Sequence, residues 1–146
     1  NKLGEVIPKH GIGSIKLGES KASLLHLLGE PVRESKNRRK CIVFTYEGFR
    51  LSFNQSEALE SIEVYPETSI TYKGREVFDG VSAWEQLIHD EPNPFCLVGT
   101  IVLLSSGVSM WEDPDEEEQN KSFVISADGT WDSLRSKLKP YERKII

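Results

Sequence analysis

Hydrophobic and polar positions alternate along most of this chain, and the period of the alternation divides it into elements. Ile12, Ser14 and Lys16 alternate with Gly13, Ile15 and Leu17, the period-two pattern of a short strand. Residues 1–10, polar and holding Pro8, read as a loose lead-in. After Ser20 the period lengthens, and Leu24, Leu25 and Leu28 share one helical stripe with Leu27 at its margin. Ser20 is placed to cap that helix; Ser23 stands where a capping box would need Glu or Gln. Gly29 is suited to end the helix, and Pro31 prevents its continuation.

The segment Arg33 to Lys40 is polar and basic and reads as a solvated loop. Three strands are expected next, at Cys41–Tyr46, Phe49–Phe53 and Leu59–Tyr65, with Glu47-Gly48 turning the first into the second. In the third, Ile62 and Val64 alternate with Ser61, Glu63 and Tyr65, so one face is wet. Ser69–Tyr72 and Arg75–Phe78 look extended around Lys73-Gly74. Ser82 with Glu85 forms a capping box for a second helix carrying Trp84, Leu87 and Ile88, stopped by Glu91-Pro92-Asn93-Pro94. Leu97–Leu104 is almost wholly apolar and predicts one central strand buried on both faces. Val108 and Met110 mark the next strand and Ser122–Ala127 another, followed by a turn at Asp128-Gly129. Thr130 would cap a last helix, Trp131–Leu138, closed by Pro140. These elements predict an α+β fold, an antiparallel sheet of about six to eight strands with two or three helices on one face.

Pairs of residues recur at nearly constant spacing. Ser20 and Ser82, and Leu25 and Leu87, stand 62 apart; Pro31 and Pro92, Ile62 and Phe123, and Val64 and Ile125 stand 61 apart; Gly48 and Gly107 stand 59 apart. The spacing suits a single domain of two similar halves, 11–72 and 73–138, each a helix, a hairpin and a third strand. Coincidence among common capping and stop residues is the alternative. The helix entry Gly13, Ile15, Leu17, Gly18, Ser20, Leu24, Leu27, Leu28, Gly29 and Pro31 resembles that of the SmpA/OmlA and β-lactamase-inhibitor-protein-like superfamily. That resemblance implies small units of a helix on an antiparallel sheet, some in tandem pairs that bind a partner protein on the sheet. It also implies, as one alternative, an assembly or structural factor of the bacterial envelope.

Composition narrows the function classes. Of 146 residues 38% are hydrophobic and 28% charged, which suits a folded globular chain. The formal net charge of −5 gives no general attraction to nucleic-acid phosphates or anionic lipid, and favours a basic protein partner. No apolar run reaches the roughly 20 residues of a membrane helix. A cytoplasmic location is expected, or a periplasmic one if a signal peptide precedes Asn1. Cys41 and Cys96 lie in apolar, β-branched surroundings and read as two buried free thiols, with a disulfide as the alternative. Their separation does not suit a metal site.

No catalytic grouping emerges. His10, His26 and His89 have no ligand at metal spacing, and neither a nucleophile elbow nor a phosphate-binding glycine loop is present. No cofactor, metal or enzymatic activity is therefore expected. The densest chemistry is Glu112, Asp113, Asp115, Glu116, Glu117 and Glu118, which together with Trp111 form the candidate partner-binding residues. A run of carboxylates is commonly a solvated loop. It also steers a basic partner, and Trp is enriched among interface anchors. In size, acidity and lack of catalytic groups the chain is similar to bacterial immunity proteins that neutralise secreted nuclease toxins. An immunity or inhibitor protein of that kind is the leading expectation, its carboxylates standing in for the nucleic-acid phosphates that a nuclease binds.

Overall fold

The computed structural model describes residues 2–80, 82–97, 99–111, 121–127 and 129–141. Lys2–Ile7 forms strand β1 where a loose lead-in was expected; only Val6 within it is buried, so no alternation announces it. The single strand expected over residues 12–17 is instead a hairpin of β2 (Gly11–Ile12) and β3 (Ile15–Lys16). Two glycines allow so tight a reversal. A Cβ on Gly11 (φ 154°) would lie 2.1 Å from the Ile15 carbonyl oxygen, and one on Gly13 (φ 57°) 2.1 Å from that of Leu3.

Helix α1 (Lys21–Leu28) has the ends its sequence specifies. The Ser20 hydroxyl accepts from the Ser23 N–H at 3.1 Å, and Gly29, at φ 80°, donates its N–H to the Leu25 carbonyl. Leu24 is fully buried, whereas Leu27 on the stripe's margin is 47% exposed. The chain then runs through β4 (Arg33–Lys36), β5 (Ile42–Tyr46), β6 (Phe49–Phe53), β7 (Leu59–Val64), β8 (Ser69–Tyr72) and β9 (Arg75–Glu76). The basic segment expected to be a loop is thus half strand, because its charged side chains sit at a sheet edge where no apolar face is required.

Helix α2 (Ser82–Asp90) begins at Ser82 itself, one residue earlier than a helix capped by that serine would. Ala83, Trp84 and Leu87 are its buried residues. The one central strand expected over 97–104 is a hairpin, β10 (Phe95–Leu97) and β11 (Thr100–Leu103), turned through Gly99 at φ 78°. β12 (Val108–Trp111) and β13 (Ser122–Ser126) follow. The expected last α-helix is a 3-10 helix, Asp132–Lys137, with no side-chain cap; the Thr130 hydroxyl donates to the Ala127 carbonyl instead. Lys139–Pro140 (β14) then pairs with β10.

The strands make two sheets, one of nine in the order β14-β10-β11-β12-β13-β7-β6-β5-β4, the other of five in the order β3-β2-β1-β8-β9. Strand makes up 44% and helix 17%. The α+β expectation of six to eight strands under two or three helices is therefore overturned: the protein is mostly β, with two short α-helices. The error has a physical origin. Strands of two to four residues, or strands rich in charge, complete a sheet by backbone pairing without leaving an apolar alternation to read.

The nine-stranded sheet is antiparallel throughout. It joins two meanders, β4 to β7 and β10 to β13, by the pairing of β7 with β13. Glu63 faces Val124 in that seam, flanked by Ile62 against Ile125 and Val64 against Phe123. A twofold axis through the Glu63–Val124 pair carries Ile62 onto Phe123 and Val64 onto Ile125. Those residues are each 61 apart.

Buried side chains from both meanders, both helices and the smaller sheet form one cluster, with Phe44, Phe53, Phe123, Ile62, Leu87 and Ile12 fully excluded from water. The cysteines are free thiols; Cys41 is buried but Cys96, on the short β10, is only half-buried.

Candidate binding face

One side of the nine-stranded sheet feeds the core; the pairing register defines what lies on the other. Directly opposed residues share a face. Arg33, Thr45, Arg50, Glu63, Val124, Ser109, Val102 and Phe95 therefore form one row across eight strands. A second row runs Ser35, Val43, Ser52, Ser61 and Ser126. A third links Ser122, Trp111, Thr100 and Leu97. Serine and threonine supply eight of these seventeen residues, whereas the opposite face carries Phe44, Leu51, Ile62, Ile125, Val108 and Met110. The outward face thus carries many hydroxyls, although Val43, Val102, Ser109 and Ser126 on it are buried.

Its charged feature centres on Glu63. Arg50 donates to Glu63 Oε1 through Nη2 at 2.7 Å and Nε at 3.2 Å, and the Tyr65 hydroxyl donates to the same oxygen at 2.8 Å. The bond to Glu63 raises the Arg50 pKa above its ordinary value. Burial, and then the Glu63 hydrogen bond, push the Tyr65 phenol up to about 12, so it remains a donor at all physiological pH. The Arg50 and Glu63 side chains keep 40% and 26% of their exposure. An ion pair so open to water contributes only about 0.2–1 kcal/mol to folding. Its weight lies in presenting a fixed set of donors and acceptors on the sheet. The sequence carried the signal, since Arg50 and Ser52 alternate with Phe49, Leu51 and Phe53.

Trp111 closes β12, half-buried, on the outward face beside Thr100 and Ser122, its indole nitrogen turned toward Gly99. Val108 and Met110, on the same strand, are buried in the core. Glu112, Asp113, Asp115, Glu116, Glu117 and Glu118 lie outside the described residues. Trp111 and Ser122, on either side of that run in the sequence, are cross-strand partners.

A second polar cluster has a structural role. Asp90 accepts from Lys73 Nζ at 2.7 Å, the Tyr72 hydroxyl at 2.8 Å and Gln86 Nε2 at 2.9 Å. Lys73 first, then Tyr72, hold its carboxyl well below the usual carboxylate range, too acidic to act as a general base near neutrality. The cluster ties the end of α2 to the β8–β9 turn. Glu91, 2% exposed, accepts from the Ser105 N–H and the Ser106 hydroxyl, each at 3.0 Å, and so fixes α2 to the β11–β12 turn. His10, His26 and His89 are exposed. Among the described residues no group of three His, Cys, Asp or Glu could hold a metal ion, and no helix is long and apolar enough to cross a membrane.

Fold and face together define a mostly β protein whose nine-stranded sheet carries, opposite the core, a face bearing serine, threonine and the Arg50–Glu63 pair, with Val102, Ser109 and Ser126 on it buried. No protein family, curated protein or solved structure matches the chain.

Proposed function

We propose that this is a non-enzymatic binding protein of the immunity or inhibitor type, which holds a basic partner such as a secreted nuclease-toxin domain. The partner would lie across the outward face of the nine-stranded sheet. Trp111 would act as its anchor, and Glu112, Asp113, Asp115, Glu116, Glu117 and Glu118 would steer it. The observation that carries this reading is the position of Trp111, half-buried on the outward face and next in sequence to the acidic run. A large aromatic group beside a dense negative charge combines an anchor with an electrostatic lure. The net charge of −5 supports a basic partner over nucleic acid. Such a protein would meet its toxin in the cytoplasm; the helix-entry motif is what favours the envelope-factor alternative.

The test is calorimetric titration of a basic nuclease-toxin domain at low and near-physiological salt. Changing Asp113, Asp115, Glu116, Glu117 and Glu118 to Ser together should weaken binding about tenfold or more at low salt, with a smaller effect at high salt. Trp111→Ala should cost about 2 kcal/mol or more of affinity if it is an anchor. Equal binding by wild type and both variants at low salt would refute the proposal.

A further inference from the structure

β4 is the outermost strand of the nine-stranded sheet, and among the described residues nothing pairs with its outer side. The register fixes which of its backbone groups face outward. The Asn37 N–H donates to the Cys41 carbonyl at 2.9 Å, so that pair is of the hydrogen-bonded type. Ser35–Val43 and Arg33–Thr45, each two residues further along, are of the same type and point their amides inward to β5. The N–H and C=O groups of Glu34 and Lys36 therefore point away from the sheet.

We infer that β4 pairs antiparallel with β4 of a second copy of this chain, centred on Ser35. In that register Glu34 of each copy lies opposite Lys36 of the other. These are the residues whose backbone groups face outward, so each pair exchanges both its N–H···O=C bonds. Every such pair also sets a carboxylate against an ammonium. Registers shifted by one residue in the centre place Glu34 against Glu34 or Lys36 against Lys36, which repel. The two Ser35 residues meet at the close, non-hydrogen-bonded crossing, where a small side chain is needed. Both side chains of each charged pair are exposed, so nothing in the single copy must move to admit the other. Because the twofold axis stands perpendicular to the sheet, the two outward faces look the same way and form one continuous surface. The inference is independent of what partner that surface binds.

Charges on an edge strand also serve to keep edges apart, so the experiment must separate the two roles. Sedimentation velocity from about 5 µM to 1 mM covers the range of a weak, short interface. The expected result is a mass rising from 16.5 kDa toward twice that value. Glu34→Lys and Lys36→Glu, each alone, put like charges in both pairs and should weaken association about tenfold. An equimolar mixture of the two variants makes every pair opposite and should restore or exceed wild-type association. Glu34→Pro removes an outward N–H without breaking the β4–β5 ladder, and should abolish association with the melting temperature nearly unchanged. A constant monomer mass to 1 mM overturns the inference. So does self-association that neither charge reversal weakens, or that the mixture does not restore.

Discussion

Phe53 offers a way to ask whether the two meanders fold as one body. It lies in β6, fully buried, with its ring edge-on to Phe44 at 5.0 Å between centroids and 71° between planes. Phe53→Ala removes the buried ring and leaves a cavity, a change that costs about 3–5 kcal/mol. The lost aromatic pair, worth about 0.5–1.5 kcal/mol beyond its area, places the expected cost near 4 kcal/mol. With a urea slope of about 2 kcal/mol/M, the unfolding midpoint should fall by about 2 M. The three tryptophans, Trp84, Trp111 and Trp131, all lie beyond the first meander, so fluorescence reports the far half while circular dichroism reports the whole. If the shared core couples the meanders, both signals shift together by the same amount. A fluorescence midpoint that stays near its wild-type value while the dichroism midpoint falls would show that the seam of β7 and β13 does not couple them.

Glu63→Gln should lower the Tyr65 pKa from about 12 toward the ordinary phenol value, with burial holding it above 10, as read from the ultraviolet titration of tyrosinate. Asp90 has a depressed pKa, so its stabilising contribution is complete above the unfolded-state value of about 3.9 and is lost as pH falls toward the folded one. The melting-temperature gap between wild type and Asp90→Asn should therefore be constant from pH 5 to 8, roughly, and close below about pH 4. A gap that instead widens in acid contradicts the Lys73 and Tyr72 contacts. Gly13→Ala forces a Cβ to 2.1 Å from a backbone oxygen and should cost upwards of about 3 kcal/mol, whereas Gly18→Ala, also at positive φ but facing open space, should cost about 1–2 kcal/mol. Comparable losses in chemical denaturation would mean that the β2–β3 hairpin does not press on β1 as described.

The sequence alone determined those elements whose physics is local. Ser20, Gly29 and Pro31 bounded α1 because caps and stops act within one turn. β6 and β7 were legible because buried Phe, Leu, Ile or Val alternates there with polar residues, and β5 because it is a short run rich in β-branched and aromatic residues ahead of the Glu47-Gly48 turn. The half-buried Trp111, opposite in face to Met110, followed from the same period of two. Tertiary structure decided everything that depends on pairing between distant strands. β1, β4 and β14 exist because neighbours hold their backbones, not because their side chains demand it. The apolar run 97–104 became part of a hairpin because Gly99, at φ 78°, could turn and β12 and β14 pair with its two arms. The constellation of Arg50, Glu63 and Tyr65 came together only when β6 met β7 in register. Side-chain periodicity says which way a residue points on its own strand; which residues then share a surface is settled by the strands it is laid beside.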